Sequence, residues 1–341
     1  KKWVEYQSST DRRNYGVRTV DGKEVPEQSD LATIPYIQVQ QCRGDHLTYD
    51  NSTPYIYSAT AYAAHSADIL RRTACILGKT DDEKRYTELF ENIKRAFNDA
   101  WVNDDGSVSY YGEVSSQTAH CGESVALDGS VTRYTYYAEN TPHCPSQTAY
   151  ALAVDFDLIS KDKLKNTREY FKNSILRNNG KLTVGFLGIS HLAPALSKVG
   201  LDDVAFKLLE QEDNPSWLYS VKNGATTIWE RWNSYIAETG TFGDVSMNSF
   251  NHYSYGAIGQ WFFTDILGIR PVEIGYKSFM LAPKFGGGLT YAKGSFTSPY
   301  GKISSAWKLH DGKFTYDCTV PTNTTATLKL PNGDIHTLAG G

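Results

Sequence analysis

The chain has 341 residues, of which 40% are hydrophobic, and a formal net charge of −4, as expected for one large or two ordinary packed domains. Its Lys and Arg residues are scattered among Asp and Glu, so no basic stripe is available for a nucleic-acid backbone. The apolar runs, such as residues 261–267, are far shorter than the roughly 20 residues that cross a bilayer. We therefore expect neither a nucleic-acid partner nor a membrane span.

Cysteine and aromatic content set further limits. The five cysteines lack CxxC or CxxH spacing, which argues against a zinc site and a disulfide framework, although a pair between Cys121 and Cys144 stays open. Aromatic content is 13%, and such rings either pack a core or form a wall against a ligand. The glycosylation sequons at Asn51 and Asn323 are compatible with a secreted or periplasmic protein but do not decide the compartment.

The first predicted elements are two helices joined back to back. Apolar residues recur at helical spacing between Thr53 and Gly78. Thr53 is the predicted N-cap, Pro54 takes the first helical position, and Gly78 ends the helix. Thr80 and Glu83 then have the spacing of a capping box at the start of a second helix. The sequence thus predicts an αα-hairpin.

A polar segment separates this hairpin from further helices. Residues 103–145 are rich in Gly, Ser and Asn, which indicates a long insertion with some hairpin character. Helical periodicity then predicts helices at 146–158, 162–178, 189–199, 201–212 and 249–267.

The periodicity changes to two after Pro271. Apolar and polar residues alternate over 303–309 and 314–320, and the Asp311-Gly312 pair between these segments predicts a type I′ hairpin turn. Residues 325–330 supply a further strand. The expected organisation is a helical domain over 1–268 and a β domain over 269–341.

The segment around Glu230 carries the most chemical information. Glu230 stands between Trp229 and Trp232, a half-apolar setting that tends to raise a carboxyl pKa and that offers rings for stacking on a sugar. A structural Glu paired with Arg231, with both Trp rings in the core, explains the same pattern equally well. Spacing alone leaves both interpretations open.

Two further candidates are weaker on residue type alone. His252 lies in a polar cluster at 248–256, where a lone His more often packs than catalyses. Asp45 lies on a loop before the first helix, and loop carboxylates are usually solvated. The Asp45-His46 pair has no third metal ligand at suitable spacing.

A resemblance to a known family strengthens these candidates. The segments 215–218, 224–232 and 247–253 resemble the bacterial α-L-rhamnosidases of glycoside hydrolase family 78, and the likeness runs back to Gly44-Asp45 and forward to Gly301. It covers nearly the whole chain apart from the insertion at 103–145.

The resemblance implies a fold and a set of roles. The expected fold is an (α/α)6-barrel catalytic domain, a toroid of helix pairs incomplete at its N-terminus, followed by an antiparallel β-sandwich. The implied activity is hydrolysis of terminal α-L-rhamnose from glycosides or polysaccharides with inversion, with Glu230 as general base. Asp45 and His252 would bind sugar hydroxyls, and Trp229 and Trp232 would take apolar sugar faces. No metal or cofactor is implied.

Two departures from the family leave alternatives open. His46 follows Asp45 where the family has Trp, and the family's general-acid Glu lies upstream of residue 1, so this chain alone is expected to lack the acid. A half barrel exposes apolar helix faces, so we expect it to bind the upstream half or to self-associate. An (α/α)6 glycosidase for another sugar and a truncated or degenerate non-catalytic carbohydrate-binding protein stay as rival functions.

Overall fold

The computed structural model describes residues 1–2, 4–5, 17–20, 23–26, 35–38, 44–49, 53–109, 122–125, 131–134 and 145–341. These residues form two compact units, one of residues 1–201 with 233–248 and one of residues 202–232 with 249–341. Cys121, Cys144 and the sequon residue Asn51 lie outside the described residues. The domain boundary between residues 268 and 269, inferred from the change in periodicity, stays a prediction.

The first unit is built on helices whose apolar faces pack against one another. The first of the three helices that follow the insertion region, Gln147–Asp155, is buried over nearly its whole length. The three helices predicted at 146–158, 162–178 and 189–199 are confirmed to within three residues at each end. In the described residues of the first unit, the helices with defined bounds are α1 Tyr55–Ile76, α2 Thr80–Trp101, α3 Gln147–Asp155, α4 Leu164–Leu176 and α5 Phe186–Lys198.

Both predicted N-terminal caps of the first hairpin are wrong. Helix α1 has Pro54 as its N-cap with no side-chain cap bond, and the Thr53 hydroxyl pairs instead with the Ser146 hydroxyl. Helix α2 begins at Thr80 itself, so Lys79 is the N-cap and no capping box forms. Tertiary contact thus replaces local capping at Thr53.

Short strand pairs complete the described part of the first unit. The hairpin character predicted for the 103–145 insertion is confirmed, since Gly122–Val125 pairs antiparallel with Val131–Tyr134. The pairs in chain order are β1 Val17–Val20 with β2 Lys23–Pro26, β3 Gly122–Val125 with β4 Val131–Tyr134, and β5 Tyr235–Ile236 with β6 Thr241–Phe242.

The second unit begins with helices that the sequence predicts only in part. Helix α6, Asp202–Leu209, confirms the prediction at 201–212 but ends three residues earlier. Helix α7, Trp217–Lys222, was not predicted because six residues are too few to show periodicity, although the Ser216 hydroxyl caps it by accepting from Tyr219 N at 3.0 Å.

The predicted helix at 249–267 is wrong at its start. Helical structure begins at Ser254 with a 3₁₀ turn to Ala257, continues as α8, Ile258–Trp261, and ends as a π turn over Phe262–Ile266. Residues 249–252 are drawn out of the helix because their backbone groups bond to the segment around Glu230.

Two packed sheets form the rest of the second unit. The strand over Gly301–His310 buries Ile303, Ser305 and Trp307 in alternation, as predicted. Both residues of the turn that follows, Asp311 (φ 47°) and Gly312 (φ 72°), have the positive φ of a type I′ turn. The strands are β7 Ile269–Pro271, β8 Ser278–Leu281, β9 Tyr291–Ser298, β10 Gly301–His310, β11 Lys313–Thr319, β12 Thr325–Lys329 and β13 Ile335–Ala339. One sheet has the order β11-β10-β9 and the other β13-β12-β8-β7, with β8 and β12 parallel and the other pairs antiparallel.

The sandwich core joins these sheets to the preceding helical segment. Its buried apolar cluster draws on both sheets, with Ile303 on one and Phe279 and Leu281 on the other. On β10, the Ser305 hydroxyl donates to Leu267 O at 2.6 Å and Trp307 Nε1 donates to Ile266 O at 2.9 Å. These buried bonds satisfy carbonyls at the end of the helical segment, where no further turn of helix can do so.

Candidate active site

Glu230 lies on a loop that is hydrogen-bonded to a second loop, which begins 19 residues later at Ser249. The Glu230 N–H donates to Ser249 O at 2.8 Å, and the His252 N–H donates to Ile228 O at 2.8 Å. The Ser249 N–H returns a bond of 2.7 Å to Glu230 Oε2. The segments around Glu230 and His252, which the sequence offers as separate candidates, are therefore one backbone-paired structure.

The Glu230 carboxylate is half-buried and has one oxygen engaged. Oε2 accepts from Ser249 N, whereas no described residue donates to Oε1. In the part of the chain that the structure describes, no ion pair joins Glu230 to Arg231, so the interpretation as an Arg231-paired structural Glu gains no support. A carboxylate oxygen without a donor can accept a proton from a water molecule.

Trp229 and Trp232 belong to the aromatic core of the second unit. Their side chains are 6% and 2% exposed. Trp232 stacks on Tyr255 with a ring separation of 3.8 Å and an angle of 10°, and Trp217 approaches it edge-on at 5.4 Å. Trp229 lies edge-to-face with Phe250 at 5.2 Å. Contact of either ring with a substrate stays a prediction, and any such contact uses the small ring area that this packing leaves.

His252 is half-buried and presents a defined tautomer. Its Nδ1 atom lies 3.3 Å from Ser254 N and accepts that N–H, which places the ring proton of the neutral imidazole on Nε2. The ring lies parallel to that of Tyr253, at 5.4 Å and 10°, and Tyr253 itself is 85% exposed. The bond at Nδ1 therefore fixes the orientation of the His252 ring.

Asp45, in the first unit, is not the solvated loop carboxylate that its position in the sequence suggests. It is buried, and its Oδ1 accepts from Leu187 N and Gly188 N at 2.8 and 3.0 Å. Its Oδ2 accepts from Gly185 N at 2.9 Å and from the Thr148 hydroxyl. Burial raises the pKa of this carboxyl, and the four donors act in the opposite direction. The carboxylate caps the first turn of α5.

The whole loop over residues 44–49 is fastened to the start of α5. His46 O accepts from Phe186 N at 2.9 Å, and the Tyr49 N–H donates to Thr183 O at 2.8 Å. A Cβ at Gly185 would lie 2.2 Å from His46 O, so the close approach requires glycine. The His46 ring stands edge-to-face with Phe186 at 5.5 Å. Phe186 was not predicted because nothing in the local sequence marks it as a partner of the loop.

The ranges that the structure describes contain neither a metal-binding cluster nor a membrane-spanning helix. Within those ranges no cluster of three or more His, Cys, Asp or Glu side chains has the arrangement of a metal site. None of the helices described there has both the length and the apolar character needed to cross a membrane.

Comparison with known proteins points to one family. The bacterial α-L-rhamnosidase six-hairpin glycosidase domain matches residues 15–266, and the bacterial α-L-rhamnosidase C-terminal domain matches residues 268–340. The chain is 34% identical over 304 residues to an α-L-rhamnosidase of Formosa agariphila, covering 89% of this chain and 28% of that protein. It is 37% identical over 288 residues to one of Streptomyces avermitilis, covering 84% of this chain and 24% of that protein.

Solved structures agree with this assignment. The crystal structure of Streptomyces avermitilis α-L-rhamnosidase complexed with L-rhamnose superposes with a TM-score of 0.72 at 35% identity, covering 89% of this chain and 25% of that one. This chain thus spans about a quarter of the length of the relatives it matches. The helical part has the six-hairpin glycosidase fold expected from the sequence, and the β part is the family's C-terminal domain. The chain therefore belongs to the bacterial α-L-rhamnosidase family of six-hairpin glycosidases.

Proposed function

We propose that this chain carries the general-base half of the active site of an inverting α-L-rhamnosidase, with Glu230 as the base. The observation that carries the proposal is the asymmetry of the Glu230 carboxylate. Oε2 is held by the Ser249 N–H at 2.7 Å, while no described residue donates to Oε1. A fixed carboxylate with one open oxygen is suited to removing a proton from an attacking water.

The proposed reaction is a single displacement at the anomeric carbon of a terminal α-L-rhamnosyl group. The oxygen of water forms a bond to that carbon as Glu230 takes the water proton, and the bond to the aglycone oxygen breaks. A second carboxyl, about 6.5 to 9.5 Å from the base, must protonate the leaving oxygen. As the family resemblance implies, we propose that a Glu outside these 341 residues supplies this proton, and that a polypeptide with the upstream half of the barrel is the chain's partner.

We propose that His252 contacts the sugar directly and that Asp45 supports sugar binding indirectly, by positioning the loop at 44–49. The bond from Ser254 N to Nδ1 fixes the His252 ring, and we propose that this ring contacts a rhamnose hydroxyl. The Asp45 carboxylate already accepts four hydrogen bonds, which matches its roughly four lone-pair positions. This occupancy supports a role in positioning the loop at 44–49 over direct contact with a hydroxyl.

The substrate class follows from the relatives. Those that match are named α-L-rhamnosidases, and one solved relative is complexed with L-rhamnose. We propose a rhamnose-containing glycoside or polysaccharide as the substrate.

The test is the release of nitrophenol from p-nitrophenyl α-L-rhamnoside. The chain is assayed alone and mixed with a polypeptide that carries the upstream half, as wild type, as Glu230→Gln and as Glu238→Gln. Glu238 is an exposed glutamate eight positions along the chain and serves as the matched control. We expect turnover in the mixture that Glu230→Gln lowers by about 10²- to 10⁴-fold and Glu238→Gln leaves unchanged. Equal rates for the two variants would overturn the assignment of the base.

A further inference from the structure

A cavity of about 280 Å³ lies in the second unit, beside the segment that carries Glu230. Helix α7 contributes Trp217 and Val221 to its walls, and the loop that follows contributes Ile228 and Trp229. Val221 and Ile228 are 60% and 37% exposed, so the cavity has an apolar rim that opens to solvent. None of the functions proposed above uses this cavity.

The floor of the cavity is a fixed aromatic surface. Trp232 and Tyr255 are buried and stacked at 3.8 Å with nearly parallel rings. Trp217 Nε1 donates to Tyr255 O at 2.9 Å, and this bond holds the Trp217 ring edge-on to Trp232. Because the rings are held by one another and by this hydrogen bond, the cavity does not have to form when a ligand arrives.

The lining selects an uncharged ligand. All of the lining residues in the described part of the chain are neutral, and the polar groups of their side chains are hydroxyls and indole N–H groups. One of these hydroxyls, on Thr227, already donates to Phe250 O. A charged ligand would lose its hydration without gaining an ion pair. A cavity of about 150 Å³ accommodates benzene, so this larger one has room for a bicyclic ring.

We propose that this cavity binds a flat, uncharged aromatic group and that the natural occupant is the aglycone ring of an aryl glycoside. The aglycone assignment rests on the function proposed above, because Trp229 in the cavity wall directly precedes Glu230. The preference for a neutral ring rests on the cavity alone. Trp229 and Trp232 then contact the substrate through its leaving group.

The test is calorimetric titration of the 341-residue chain with coumarin, a neutral bicyclic ring, and with coumarin-3-carboxylate, the same ring with a negative charge. Val221→Glu places a charge on the cavity rim, and Val245→Glu makes the same change at a valine that is 72% exposed and does not line the cavity. We expect saturable 1:1 binding of coumarin that Val221→Glu weakens by about tenfold or more and Val245→Glu leaves unchanged. Coumarin-3-carboxylate should bind about tenfold more weakly than coumarin to the wild type.

Three results would overturn the inference: no saturable binding, equal effects of the two variants, or loss of coumarin binding once the upstream-half polypeptide is added, since another polypeptide would then cover the cavity.

In the active mixture, Val221→Glu should raise KM for p-nitrophenyl α-L-rhamnoside and leave KM for methyl α-L-rhamnoside unchanged. Coumarin binding without turnover in any mixture would remove the proposed function and the aglycone role but leave the ring-binding cavity. Turnover without coumarin binding would remove the cavity inference alone.

Discussion

Glu230 and Ser249 bind each other twice, through the Glu230 N–H to Ser249 O at 2.8 Å and through the Ser249 N–H to Glu230 Oε2 at 2.7 Å. The first bond fixes the backbone that carries the carboxylate, and the second fixes the carboxylate itself. Because Ser249 acts through its backbone, its side chain is free to vary without loss of this arrangement. The reciprocal pair leaves Oε1 as the oxygen that can face a water molecule.

The contact between Gly185 and the loop at 44–49 predicts that a single methyl group is harmful there. Gly185→Ala would place Cβ 2.2 Å from His46 O, whereas a Cβ at the helical Gly259 meets no atom within 4 Å. We expect Gly185→Ala to lower the free energy of unfolding by about 2 kcal/mol or more. Gly259→Ala should leave it unchanged or raise it by up to about 1 kcal/mol. Urea denaturation measures the free energy of unfolding of both variants. Equal changes in the two variants would contradict the close contact between Gly185 and the loop at 44–49.

Asp45 is predicted to stabilise the fold through the four hydrogen bonds that its carboxyl group accepts. Asp45→Asn replaces one acceptor oxygen with an NH₂ group that must face N–H donors of the loop and α5, so at least one donor loses its partner. We expect a loss of about 1 to 3 kcal/mol in the free energy of unfolding, measured by chemical denaturation. Asp99→Asn, on the exposed side of α2, is the control and should change stability by less than about 0.5 kcal/mol. An Asp45→Asn protein as stable as the control would show that the four bonds contribute little.

Trp232 should be required for stability in a way that the nearby Tyr253 is not. Trp232 is 2% exposed and stacked on Tyr255, whereas Tyr253 is 85% exposed. Trp232→Ala is expected to lower the free energy of unfolding by about 3 to 5 kcal/mol, and Tyr253→Ala by less than about 0.5 kcal/mol. Thermal and urea unfolding followed by circular dichroism measure both. A comparable loss in the Tyr253 variant would contradict its exposed position.

The hydrogen bonds to Asp105 are expected to make the stability of the folded protein depend on pH in the acidic range. The Ser107 hydroxyl, the Tyr170 hydroxyl and the Ser107 N–H donate to its carboxylate and lower the pKa of Asp105 from 3.8 to about 2. Because the folded pKa is depressed, the stabilisation is fully present above the ordinary pKa and is lost as pH falls through about 2. NMR titration of the carboxyl should therefore give a low pKa that Tyr170→Phe raises. Between pH 5 and pH 3 the stability of wild type should fall relative to Asp105→Asn, and parallel curves would contradict the assignment.

Elements with a long, regular pattern were predictable from the sequence. Helices α3, α4 and α5 show sustained apolar periodicity, and β10 alternates so strictly that Ile303, Ser305 and Trp307 are all buried as expected. The failures lie where tertiary contacts outweigh local preference. Thr53 has the side chain of an N-cap but bonds to Ser146, and the predicted helix from residue 249 yields to backbone pairing with the Glu230 segment.

The residues of the candidate site also divide into those that the sequence reveals and those that only tertiary contacts reveal. Residue types and family resemblance selected Glu230, His252 and Asp45, because carboxylate and imidazole chemistry is visible in a sequence. The contribution of Ser249 is made by its backbone N–H, and every residue type except proline offers that group. The burial of Asp45 depends on α5, which begins more than a hundred residues later, so no local pattern could have shown it.

The central claim, that Glu230 deprotonates the attacking water, is tested most directly by nucleophile rescue of Glu230→Ala in the active mixture. Azide needs no base, so its nitrogen can bond to the anomeric carbon as nitrophenolate leaves p-nitrophenyl α-L-rhamnoside. We predict that azide restores nitrophenol release in the variant, has no such effect on wild type, and gives β-L-rhamnosyl azide by NMR. An absence of rescue in a folded variant, or an azide product that retains the α configuration, would contradict the assignment of Glu230 as the general base of an inverting enzyme.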